Sequence, residues 1–157
     1  MTKVEVQKET MLTTLCGGTE EFVDQFLNDQ KIIGMKSMAN PEMAVWASQI
    51  TVHNFIKRRI EVTPTNIAHG IERTLITGSG THLDGTCLLL MCCLRLDIQS
   101  SHLEVMLSPE FDKSTLVYKG TDKPVVIDWA DVADTQKHLA FKARLNGQFP
   151  NWGGFSL

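Results

Sequence analysis

"GSGTHLDGTCLLLMCCLRLDIQSS", residues 78–101, is the stretch on which the reading of the whole chain turns. Its glycines at 78 and 80 mark a tight turn. From Asp84 through Leu96 the residues are apolar on almost every side apart from Arg95, which predicts a helix buried in the middle of the fold. A second, polar turn closes the stretch. Some hydrolases set a nucleophile where a turn becomes a buried helix, so the residues around 80–87 carry the functional question.

Upstream, the periodicity is helical. "GGTEEFVDQFLNDQKII" offers Thr19 as N-cap, acidic residues in the first turn, and Phe22, Val23, Phe26 and Leu27 at helical spacing. "NPEMAVWASQITVHNFIKRRIEV" begins with Asn40 as cap and Pro41 at the first helical position. Its Met43, Trp46, Ile50, His53 and Ile56 fall near one face, as in an amphipathic helix. "TPTNIAHGIERTLITG" repeats the start signal at Thr63 and Pro64 and has Gly78 as its stop. Downstream, the period changes to that of strands. "HLEVML", "TLVYKG" and "PVVIDWAD" are short, β-branched or alternating, and are separated by turns. The closing "LNGQFPNWGGFSL" reads as an irregular tail laid on the body by Phe149, Trp152 and Phe155.

A helical N-terminal half, a central buried helix and a small antiparallel sheet make an α+β fold. At 157 residues the chain is read as one domain, with residues 1–65 as its helical N-terminal part, 66–152 as the core and 153–157 as a tail. No apolar run reaches the length of a membrane span, and the polar start "MTKVEVQKETMLTTL" has no signal-peptide centre, so a cytoplasmic protein that does not enter the membrane is expected. A net charge of −3 argues against nucleic acid as a partner. The local exception, "KRR" at 57–59, is read as the solvated face of a helix.

Cys16, Cys87, Cys92 and Cys93 lack metal-site spacing, and three of them lie in the apolar run, where a thiol behaves as a small hydrophobe. Cys92 and Cys93, about 100° apart on a helix, cannot line one site. No metal, cofactor or structural disulfide is implied.

The order of a buried helix followed by three short strands ending in an aspartate resembles the transglutaminase-like cysteine hydrolases, and more nearly the bacterial transglutaminase-like cysteine proteinases, with their papain-like core. In that family a pattern G-x-G-x-C-x-D-x-A, then an apolar run and L-R-x-L-G-I, opens the central helix. The resemblance implies a cysteine nucleophile at the helix N-terminus, where the dipole favours a thiolate. It also implies a histidine base at the start of the second strand and an orienting aspartate at the end of the third. Here Gly78, Gly80, Asp84, Arg95 and "LDI" supply the frame, "VVIDWAD" supplies Asp128, and "LNGQFPNW" is similar to the family's closing segment. The reactive positions depart from it. His82 stands where the cysteine belongs, and Ser114 or Thr115 where the base belongs. An imidazole does not replace a thiolate in covalent acyl transfer without a different mechanism.

Two readings follow. The first is a non-catalytic, partner-binding protein on a degenerate transglutaminase-like fold, a pseudoenzyme whose partner is another protein. The second is an active cysteine hydrolase, a peptidase or amidase, that uses Cys87, His102 and Asp128, which stand in the family's chain order. Against it, Cys87 lies more than one turn inside the helix, where the dipole helps little and burial raises a thiol's pKa. His82 and Asp84, two residues apart at a helix start, do not share a face. Asp84 is therefore read as helix-start chemistry and His82 as a partly exposed histidine. His53 and His69 lie on predicted helices and could approach His82 in the fold, but the sequence does not place them within ligand distance of it.

Overall fold

A computed structural model of the chain describes residues 4–5, 10–36, 40–60, 67–109, 113–122, 124–130 and 153–157. Phe149, Trp152 and the Thr63–Pro64 start signal lie outside the described residues.

The buried helix is present as α5 (His82–Arg95), and eleven of its residues, Leu83 through Cys93, are buried. Its start is closed reciprocally. The Asp84 backbone N–H donates to Thr81 Oγ1 at 3.1 Å, while the Thr81 N–H donates to the Asp84 carboxylate at 2.9 Å. Around α5 pack α1 (Met11–Cys16), α2 (Glu20–Asp29), α3 (Pro41–Phe55) and α4 (Ile71–Thr77), with the sheet formed by β5 (Leu103–Leu107), β6 (Ser114–Tyr118), β7 (Val125–Ile127) and β8 (Gly153–Phe155) on another side. The earlier strands are short: β1 (Val4–Glu5) pairs antiparallel with β3 (Ile67–Ala68), and β2 (Arg58–Arg59) pairs parallel with β4 (Ser79–Gly80). The fold is α+β, as expected.

Several expectations need correction. The tail is not irregular at 153–155, where β8 pairs antiparallel with β5 and makes the three-strand meander a four-stranded sheet, β7-β6-β5-β8. Arg58 and Arg59 lie on a strand rather than a helix face. The helix that ends at Gly78 is shorter than expected: Ile67–Ala68 forms β3, and α4 begins at Ile71, behind Gly70 at φ 86°. The Asp84 carboxylate accepts the His69 and Gly70 backbone N–H groups and fixes the turn just before α4. The stop at Gly78 stands, in the left-handed region at φ 67°.

α3 carries the largest correction. Asn40 caps it as expected, accepting the Glu42 N–H at 3.1 Å. Of the predicted face, however, only Ile56 is buried; the buried residues of the helix are Ala44, Val45, Ser48, Gln49 and Val52. α3 lies against α5, which is apolar all round, so small residues on the near side allow close approach. Ser48 remains satisfied by donating to Ala44 O at 2.8 Å.

The last turn of α5 is tied to α2 by Arg95, which forks onto the two carboxylate oxygens of Asp24, each at 2.8 Å. This bond from Arg95 holds the Asp24 carboxyl below its ordinary range, although burial acts the other way. A depressed folded pKa contributes stability above the unfolded value that is lost as pH falls through the folded one. Both side chains are more than a third exposed, at 36% and 42%, so screening keeps the contribution small. Asp24→Asn should cost less than about 1 kcal/mol at pH 7. In urea titrations the two proteins should converge as the solution is acidified below the carboxylate range. A difference that survives there would assign the effect to packing instead.

Candidate functional site

Thr81, the N-cap, delivers His82 as the first residue of α5. The ring reaches across to the sheet. His82 Nδ1 lies 3.2 Å from the Ser114 backbone nitrogen and 3.3 Å from Ser114 Oγ, at the start of β6. On its other side, Nε2 lies 3.3 Å from Asp128 Oδ1, just past the end of β7. The side chains of His82 and Asp128 are 24% and 28% exposed, so the pair sits at an opening rather than in the core.

The donors determine the tautomer. A backbone N–H can only donate, so the Ser114 N–H makes Nδ1 an acceptor and places the ring proton on Nε2, facing Asp128. The Ser114 hydroxyl donates to Thr86 Oγ1 at 2.8 Å, and the Thr86 hydroxyl donates to His82 O at 3.1 Å. Each proton in this chain is therefore placed, and the Ser114 proton is directed away from the imidazole. Asp128 Oδ1 also accepts the Ala130 N–H at 2.9 Å, and Asp128 O accepts from Gln49 Nε2 at 2.9 Å.

Trp129 backs the site. It is fully buried, its indole N–H donates to His82 O at 2.8 Å, and its ring centroid lies 5.5 Å from the His82 ring. It lies flat enough against α5 that a Cβ at Gly85 would fall inside its ring atoms. On the outer side, Arg59 lies 5.5 Å over the Trp129 ring, and Trp129 O is 2.9 Å from His53 Nδ1.

The structure thus brings His82, Ser114 and Asp128 together. Thr115, next along the strand, is directed elsewhere and donates to Ile127 O at 3.2 Å. Cys87 is 1% exposed. A hydrogen bond with the Cys16 thiol, reinforced by burial, pushes its pKa well up. Burial likewise raises Cys92, and it pushes Cys93 up to about 12 despite the Ser48 hydroxyl beside it. His102 stands in a 3₁₀ turn, Ser100–His102, before β5, with its ring edge-on to Tyr118 at 6.3 Å. His69 contributes its backbone N–H to Asp84. Among the described residues no group of three or more His, Cys, Asp or Glu is placed to hold a metal ion, and no helix is long and apolar enough to cross a membrane.

Two participants escaped the sequence reading. Thr86 stands four residues after His82, so helical spacing alone could have placed it on the same face. Gln49, 79 residues from Asp128, carried no such signal.

No family model and no curated protein sequence matches the chain. Solved structures do. LapG of Legionella pneumophila is similar in its calcium-bound form at a TM-score of 0.56, with 11% identity over 95% of this chain and 81% of that one. Its EGTA-treated form gives 0.57 with 9% identity over 98% and 83% of the two chains, and a third LapG structure gives 0.54 with 9% identity over 98% and 86%. At such identities the likeness speaks for the fold alone: the chain is built on the α+β, transglutaminase-like architecture that LapG also has.

Proposed function

We propose that this chain is a non-catalytic, partner-binding protein on a transglutaminase-like fold. The observation that carries this reading is the helix mouth itself. An imidazole occupies the place from which the resemblance leads one to expect a thiolate, and both of its ring nitrogens are engaged, by Ser114 and by Asp128. A nucleophile is hard to find around it. The Ser114 hydroxyl is buried and donates to Thr86, and the four free thiols are all buried. The frame of an acyl-transfer site is thus kept while its protons are arranged for structure.

The alternative, a cysteine hydrolase using Cys87, His102 and Asp128, makes the opposite forecast for the same experiment. Native protein at neutral pH, treated with iodoacetamide and in parallel with a fluorophosphonate probe, should stay unmodified at every cysteine and at Ser114. In urea all four thiols should react. Rapid, selective alkylation of Cys87 in the folded protein would sink the non-catalytic reading, and so would stoichiometric labelling of Ser114.

A further inference from the structure

We infer that the outward face of α3, with the Arg58–Arg59 strand that follows it, docks the partner, and that the partner presents a carboxylate side chain flanked by apolar ones. This rests on the binding reading above. α3 is built with its large apolar residues outside. Met43 and Ile50 are 46% and 47% exposed, and Trp46 and His53 are half-buried between and beyond them. Positions 43, 46, 50 and 53 follow one another at helical spacing and form a single stripe. Isolated exposed hydrophobes are ordinary, but a contiguous apolar stripe marks a contact surface.

The stripe leads to the helix mouth, because its last member, His53, touches Trp129 O, the wall behind His82. There Lys57, Arg58 and Arg59 are exposed in succession, whereas at the other end of α3 stands Glu42. The charge asymmetry gives the ligand a direction, with its acid toward Arg59.

Arg59 itself is poised to be handed over. Its Nη2 lies 2.9 Å from His53 Nδ1, and Trp129 O lies 2.9 Å from the same nitrogen. A guanidinium only donates and a carbonyl only accepts, so His53 Nδ1 can satisfy one of the two but not both. Among the described residues Arg59 forms no ion pair; it is met by the His53 ring and the Trp129 face. When an incoming carboxylate takes the guanidinium, His53 can carry its proton on Nδ1 and donate to Trp129 O. One hydrogen bond replaces another, and the Arg–carboxylate pair is gained. Three cations would also suit a phosphate chain. The apolar stripe beside them, with Trp129 itself fully buried and unavailable for base stacking, favours a protein segment.

The test is selection of a displayed random-peptide library on the immobilised full chain, followed by binding titrations. Enriched peptides should combine an acidic residue with apolar ones, and Arg59→Glu and Ile50→Glu should each weaken binding about ten-fold or more. Ile76→Glu should leave it unchanged. Ile76 is 72% exposed and lines a different cavity, of about 530 Å³, together with Gln30, Phe55 and Leu75. All three substituted residues are exposed, so circular dichroism and Tm should match the parent. Loss of binding on Ile76→Glu alone would overturn the assignment, as would enrichment of basic peptides or of none. Uptake of a labelled single-stranded oligonucleotide that Arg59→Glu abolishes and the peptides do not displace would overturn it too. Turnover of a bound peptide, by contrast, would refute the non-catalytic reading and leave the docking surface standing.

Discussion

Replacing Gly85 with alanine will unseat Trp129 and destabilise the protein by on the order of 3 kcal/mol. In an exposed helix interior the same change would gain about 1 kcal/mol of helix propensity. Here the new Cβ would fall within van der Waals overlap of the indole Cε2 and Cζ2 atoms. Trp129 is fully buried and cannot move outward without surrendering both its packing and the bond from its Nε1 to His82 O. Overpacking and the broken hydrogen bond together exceed the propensity gain. Urea unfolding gives the magnitude, and a red shift of the tryptophan emission should accompany it. A double-mutant cycle with Trp129→Leu checks the cause, since most of the cost of Gly85→Ala should vanish once the indole is gone. An unchanged cost in that background would place the strain elsewhere. His82 depends on this wall, so the variant should also disturb the helix mouth.

Removing the Asp84 carboxylate should be comparably severe. The side chain is fully buried and accepts the backbone N–H groups of His69, Gly70 and Thr81 as well as the Thr81 hydroxyl. Asp84→Ala strands those donors without water, at about 1–3 kcal/mol for each one left unsatisfied, so a loss above about 3 kcal/mol is expected. Asp84→Asn keeps the shape but turns an NH2 toward N–H donors, and it should recover only part of the loss. Hydrogen exchange separates this from a general core defect, because the amides of His69, Gly70 and Thr81 should lose protection first. Full recovery in the asparagine variant would mean that shape, and not acceptor count, holds the turn.

Much of this architecture was legible before any coordinates. Glycines, caps and periodicity located α5, the Asn40–Pro41 start of α3, the Gly78 stop and three strands, because each of those signals acts within a few residues of itself. The resemblance to transglutaminase-like proteins also singled out His82, Asp128 and either Ser114 or Thr115, and of these the structure brings His82, Ser114 and Asp128 together. Their partnership was beyond local reading, since 32 residues separate His82 from Ser114 and 47 separate it from Trp129. The direction in which α3 faces was equally hidden. Its apolar residues are spread around the helix, and only the close approach of α5 decided that Ala44, Ser48 and Gln49 lie inward and Met43 and Ile50 outward. Gly153–Phe155 has little strand propensity of its own, and its role as β8 comes from the open edge of β5. What the chain alone determined is therefore the elements and their ends, through bonds that close over one turn. Which side chains meet at the mouth of α5, and which proton each holds, was decided by tertiary packing, because those contacts exist only once segments far apart in sequence share one wall.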